Sequence, residues 1–181
     1  MREISLHILD LIENSIRAGA TVIAVAVEEE PERDLLCIVV EDNGPGLPVP
    51  ADTAADPFFT TKEGKKTGLG LSLLKFRTEQ AGGSFRIEGS ALGGLAVRAT
   101  MPLSNVDRSP LGDLAATLAS VVCTNPEVEL RSRLRVGSRE WSVSTVDIMR
   151  GMPVGARSEI AVARRMKERV AEGLSALHVS D

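Results

Sequence analysis

The chain has 181 residues, of which 43% are hydrophobic and 25% charged, with a net charge of -4. That supports one core of ordinary size with room for a small second unit, and the acidic balance excludes the basic footprint of a nucleic-acid or anionic-membrane binder. The apolar runs fall far short of the ~18 residues of a spanning helix, and MREISLHILDLIENS lacks the uninterrupted apolar segment of a signal peptide. Cys37 and Cys123 sit in apolar stretches and read as buried free thiols of a reducing cytoplasm.

In chain order, Ile4 to Ala18 has helical periodicity. Ile4, Ile8, Leu11, Ile12 and Ser15 fall on one side, and His7, Asp10, Asn14 and Arg17 form a polar stripe on another. Gly19 suits the position just past a helix end. Thr21 to Val27 and Leu35 to Val40 read as strands joined by the charged turn EEEPERD. The second strand runs into Asp42-Asn43-Gly44-Pro45-Gly46. Leu47 to Lys66 has no sustained period, which in a compact domain marks a functional or unstructured segment. Leu69 to Gln80 is an amphipathic helix ended by Gly82-Gly83, and Ser84 to Glu88 and Gly94 to Met101 read as two strands.

Composition shifts after Leu103. Ser104 to Pro110 reads as a linker, Leu111 to Cys123 as a helix, Val128 to Arg135 and Glu140 to Thr145 as a hairpin, and Ser158 to Leu177 as a charged amphipathic helix. Trp141 is expected in the hairpin core. His7 and His178 are expected to be satisfied surface or pocket-edge side chains. Residues 1–104 are expected to form one domain, and 105–181 a small α+β appendage suited to docking, to dimerisation or to packing on the first unit.

Three stretches carry chemistry that a nucleoside triphosphate needs. Asp42, at a strand end beside Gly44 and Gly46, offers an acceptor for an exocyclic amine where backbone can approach closely. Asn14 offers a hard oxygen to Mg2+, and Asp10, one helical turn earlier, could polarise a water. Gly68-Leu69-Gly70 opens a helix, so its free N–H groups can hold phosphate oxygens. Lys62, with Lys65 and Lys66 nearby, can supply positive charge over them.

In that order and spacing, these stretches resemble the motifs of the GHKL ATPase superfamily. ENSIRAGA (Glu13 to Ala20) resembles its N box, DNGPG its first glycine box and TGLGL (Thr67 to Leu71) its second; PFFTTK followed by TGLGLSLLK is similar to the ATP lid of the histidine-kinase branch. The resemblance spans roughly Met1 to Leu103. It implies a Bergerat-type α/β sandwich (α+β), with a mixed, mostly antiparallel sheet covered by helices on one face and ATP between helix and sheet. It also implies that Asn14 binds Mg2+, that Asp42 reads adenine and that Asp10 stands where hydrolysing members carry a catalytic Glu. Arg17, Ala18, Gly44, Gly46, Lys62, Thr67, Gly68, Leu69, Gly70 and Leu71 would surround the nucleotide. Three departures stand out: Asp10 is shorter than Glu, Lys66 stands where the second glycine box often begins with Gly, and Leu95 occupies the place of a Thr that often helps hold adenine. No histidine has the context of a phosphoacceptor, so transfer to a protein partner in trans, or to water, is one expectation. A non-catalytic nucleotide-dependent switch is the other. Neither nucleic acid nor membrane is an expected partner, and a homodimer is allowed.

Overall fold

The computed structural model describes residues 3–46 and 69–180, with the side chain of Leu69 excepted. Among the described residues the elements are α1 (Ile4–Arg17), β1 (Val22–Glu30), β2 (Leu35–Asp42), α2 (Leu69–Gln80), β3 (Ser84–Gly89), β4 (Leu95–Met101), α3 (Leu114–Thr124), β5 (Glu129–Val136), β6 (Arg139–Ser144), α4 (Thr145–Arg150) and α5 (Glu159–Leu177). The strands form one six-stranded sheet in the order β3-β4-β2-β1-β5-β6. The β1–β5 pair is parallel and the other pairs are antiparallel. This is the mixed α+β sheet expected.

Period-two alternation explains why the helices cover one face. Ile23, Val25 and Val27 of β1, Leu36, Ile38 and Val40 of β2, Val97 and Ala99 of β4, and Leu130 and Leu134 of β5 join Ile8, Ile12, Leu74, Leu118 and Met166 from the helices in one buried cluster. Among the described residues the opposite face holds the small cluster Ala26, Cys37 and Val39, roofed by long charged side chains. There Arg135 bridges Glu28 at 2.8 Å and Glu30 at 3.0 Å, and Arg133 also pairs with Glu28. These ion pairs explain why β1 runs on through Glu30 where composition suggested a turn: Glu28 and Glu30 are the strand's open-face residues. Glu29, between them, is buried and takes the Ser180 N–H at 2.7 Å.

The residues after 105 contribute to this same sheet and core. Val22↔Glu129 to Glu29↔Val136 is a continuous parallel register, and α3 and α5 pack on the helix side. The stretch expected as a linker is tied down at both ends. Ser104 donates its N–H at 2.8 Å and its hydroxyl at 2.6 Å to Asp34, holding that carboxyl below its usual range. Pro110 and Leu111 offer their carbonyls to the N–H groups of Ile4 and Ser5, which no helical partner can satisfy.

Three expectations change. Trp141 does not fill a hairpin core; it is half-buried between sheet and α5, its indole N–H donates to the Arg169 carbonyl at 3.1 Å, and the Arg169 guanidinium lies 4.6 Å over its ring. A Cβ at Gly173 would sit 2.4 Å from the Trp141 ring, so that glycine is what lets α5 approach. Cys123 is exposed because it falls on the outer side of α3, whereas Cys37 is buried and its thiol pKa is raised by that burial. His7 is only 2% exposed and neither ring nitrogen has a hydrogen-bond partner among the described residues, because α1 turns it into the packed interior.

Burial foremost, then neighbouring positive charge including Arg77, lowers the His7 pKa from 6.5 to about 4. Between these values the unfolded chain binds the proton and the folded chain does not, so stability is full above about pH 6.5 and falls as pH drops toward 4. The whole loss is about 3 kcal/mol. In denaturant titrations across this range, His7→Leu is expected to flatten the slope and raise stability at pH 5; an unchanged slope would contradict the assignment. Gly173→Ala is expected to cost about 1–3 kcal/mol and to shift Trp141 fluorescence.

Candidate functional site

Asp42, the last residue of β2, is 6% exposed. A carboxylate removed from water is costly unless hydrogen-bonded, and among the described residues it has three donors. The Ser15 hydroxyl donates to Oδ2 at 2.5 Å, and the N–H groups of Gly44 and Leu95 donate to Oδ1 at 2.9 Å and 3.1 Å. A carboxylate has about four acceptor positions, and donors among the described residues occupy three of them.

The glycines around it set the spacing. A Cβ on Gly94 would lie 2.3 Å from Asp42 Oδ1 and 2.5 Å from the Gly44 nitrogen, so only glycine fits. Gly94 also donates its N–H to the Asp42 carbonyl at 3.0 Å. Gly46 has φ +77°, which suits glycine in the left-handed turn. Asn43 anchors the turn by accepting from the N–H groups of Thr21 and Val22, each at 2.9 Å, and by donating to the Thr21 hydroxyl at 3.0 Å.

α1 is the second wall. Its stripe places Asp10 and Asn14 one turn apart, on a side adjacent to Ser15. Asn14 Oδ1 accepts from Arg17, which also lies 3.6 Å from Glu13. Ala18 caps the helix with its N–H on the Asn14 carbonyl at 3.0 Å. The third wall is the start of α2: a Cβ on Gly70 would lie 3.1 Å from Asp10 Cβ and 3.2 Å from its Oδ2. Leu71 packs against the core as a partly buried side chain. Ser15–Asp42 therefore joins α1 to β2, and Asp10–Gly70 joins α1 to α2. Lys62, Thr67 and Gly68, like Lys65 and Lys66, lie outside the described residues, and of Leu69 only the backbone is described.

Sequence reasoning passed over Ser15 and Gly94. Ser15 was grouped with the apolar side of α1, and Gly94 was only a strand start; both belong to the Asp42 setting. A serine on an otherwise apolar helical side was the available signal for the first. Leu95 was singled out as a replacement for Thr; it contributes its backbone N–H. Among the described residues no group of three or more His, Cys, Asp or Glu could hold a metal. A groove of about 680 Å³ lies over Ala24, Ala26, Val39 and Ala96, on the face of the sheet away from α1. Its arginines are already paired, Arg131 with Glu129 at 2.7 Å and Arg98 with Glu88 at 3.4 Å, and none of the motif side chains on α1 reaches it.

Residues 2–105 match the family model described as histidine kinase-, DNA gyrase B-, and HSP90-like ATPase. The sensor histidine kinase CpxA of Escherichia coli K12 is 32% identical over 100 residues, covering 52% of this chain and 21% of CpxA. The sensor protein CitS of Halalkalibacterium halodurans is 41% identical over 64 residues, covering 35% of this chain and 12% of CitS. The chain thus spans a small part of the length of these relatives. Among solved structures, the N-terminal domain of a DNA repair protein superposes with TM-score 0.54 at 14% identity, covering 96% of this chain and 59% of that one, a likeness of fold alone. The chain belongs to the histidine kinase-, DNA gyrase B- and HSP90-like ATPase family, the GHKL ATPases, and carries their ATP-binding domain on the kinase-like side.

Proposed function

We propose that the protein binds Mg-ATP between α1 and the Asp42 turn and transfers the γ-phosphate to a partner protein in signalling, or to water. The observation that carries this reading is the Asp42 carboxylate, buried and held among the described residues by three donors, which leave one of its about four acceptor positions to a ligand. That position suits the exocyclic amine of adenine. Gly94, which leaves no room for a Cβ, and Gly44, where a Cβ would press on Asp42 Oδ1 at 3.2 Å, keep backbone close enough for a flat base to lie against.

The residues present also fit a magnesium ion. Asn14 would supply one hard oxygen, and Mg2+ ordinarily takes one or two protein ligands and keeps its waters. When bound, the ion would neutralise charge on the phosphates. Asp10 would accept the proton of the attacking hydroxyl or water. The α2 N-terminus at Leu69 and Gly70 would donate N–H groups to phosphate oxygens. Thr67, Gly68 and Leu71 complete that glycine box in this reading, Lys62 adds positive charge, Arg17 and Ala18 line the α1 end, and Gly46 shapes the turn under the base. A cytoplasmic setting goes with it, and no described helix is long and apolar enough to cross a membrane. Residues 105–181 would offer docking or dimerisation surface alongside their share of the core.

One contact favours the second reading, a nucleotide-dependent switch without turnover. Arg17 already engages Asn14 Oδ1, the oxygen Mg2+ would need, so metal binding would require the guanidinium to move.

Calorimetric titration tests the pocket. Asn14→Ala is expected to abolish the Mg2+ dependence of ATP binding, and Asp42→Asn to weaken ATP about tenfold to a hundredfold, the cost of an unmet buried polar group; unchanged affinity in both would sink the assignment. Turnover separates the two readings. Hydrolysis or transfer that falls at least a hundredfold in Asp10→Asn, about the contribution of a general base, with binding retained, supports the enzyme. Binding without turnover in either protein supports the switch.

A further inference from the structure

The sheet ends on one side at β3, a six-residue strand paired only with β4 among the described residues. Exposed edges are normally blunted by shortness, by charged side chains (lysine above all), by proline, a bulge or a cover, and the charges β3 carries, Arg86 and Glu88, are of opposite sign. β3 reads SFRIEG and has neither proline nor lysine.

Its two faces differ. Ser84, Arg86 and Glu88 lie on the open face of the sheet, opposite Thr100, Arg98 and Ala96. Phe85 and Ile87 are partly buried against the core on the helix side. Arg86 is directly opposite Arg98, a like-charge pair that disfavours the ladder. Arg98 is already met by Glu88 at 3.4 Å and by the Cys37 sulfur at 3.1 Å, and no carboxylate pairs with Arg86 among the described residues.

The hydrogen-bond phase shows what the edge offers. The Ser90 N–H donates to the Gly94 carbonyl at 2.9 Å, in register with Gly89↔Leu95. Antiparallel bonding alternates by residue, so Ser84, Arg86 and Glu88 turn their backbone groups to β4. The N–H and C=O groups of Phe85, Ile87 and Gly89 face the free edge.

We infer that this edge receives β3 of a second copy of the chain, antiparallel, with a two-fold axis at Ile87. In that register Ile87 exchanges both backbone bonds with its symmetry mate, and Phe85 pairs with Gly89 of the other copy. Arg86 stands opposite Glu88, and Glu88 opposite Arg86, at non-hydrogen-bonded positions where side chains lie closest. The half-buried Ile87 side chains meet on the helix side. An isologous contact of this kind closes on itself and joins the two sheets into one. The sequence of the strand is self-complementary only about Ile87. At the other edge, the same operation about Ser142 of β6 sets Trp141 against Val143 and Glu140 against Ser144, with no opposite charges.

Sedimentation velocity over a concentration series tests this on the full chain. The wild type is expected to dimerise. Arg86→Glu and Glu88→Arg are each expected to weaken the dimer about tenfold, since each sets two like-charged pairs across the seam. The double swap Arg86→Glu/Glu88→Arg is expected to restore it. Glu140→Arg on β6 should leave association unchanged, and equal unfolding midpoints establish that the single variants are folded. A wild type that stays monomeric throughout, a dimer that neither reversal weakens, or a double swap that fails to restore it would each overturn the inference.

Discussion

The arrangement depends on one buried carboxylate. Asp42 sits at the end of a core strand, and burial obliges it to find donors. One donor is a hydroxyl on α1, one is the backbone N–H after its own turn, and one is the first N–H of β4. Hydrogen bonds to a charged group contribute about 1.5–3 kcal/mol each, and of the three only the Ser15 bond ties α1 to the sheet, adding to the apolar packing of Ile8, Leu11 and Ile12. The same requirement excludes any side chain at Gly94 and brings the strand β4 close. The geometry of the site therefore follows in large part from satisfying one buried carboxylate.

The second constraint is the continuity of the sheet. The family match ends at residue 105, yet β5 runs parallel to β1 along its whole length and the helices that follow close the core. α5 is fixed at its far end by several independent contacts. Arg139 donates to the carbonyls of Ala176 and Leu177, Gly173 admits Trp141, and Glu29 takes Ser180. The β1 strand that precedes the Asp42 turn thus has neighbours on both sides. That support helps hold β2 and its terminal carboxylate in place.

Much of this was legible in the sequence, because the signals were local. The period of α1, the alternating apolar residues of β1 and β2, and the glycines after Asp42 all act within a few residues. The three motif stretches could be related through their resemblance to a known superfamily, which carried the fold class with it. What escaped was tertiary. Glu28 and Glu30 read as turn residues because their arginine partners are more than a hundred positions away. Trp141 read as core because nothing near it reveals the glycine on α5 that it packs against. Ser15 looked like a small residue on an apolar stripe until Asp42 was beside it. His7 looked like a surface or pocket-edge residue, and its burial with both nitrogens unpartnered among the described residues follows from the packing of α1, which no local pattern announces.

The central claim is that Asp42 reads an exocyclic amine, and the most direct test changes the base and leaves the protein alone. Calorimetric titration of the wild-type chain with Mg-ATP and Mg-ITP compares two ligands that share sugar and phosphates and differ at that amine. The account requires ATP to bind about tenfold to a hundredfold tighter, because ITP presents an acceptor where the carboxylate needs a donor. Equal affinities would mean that Asp42 is a structural carboxylate and that the base, if it binds here at all, is read elsewhere.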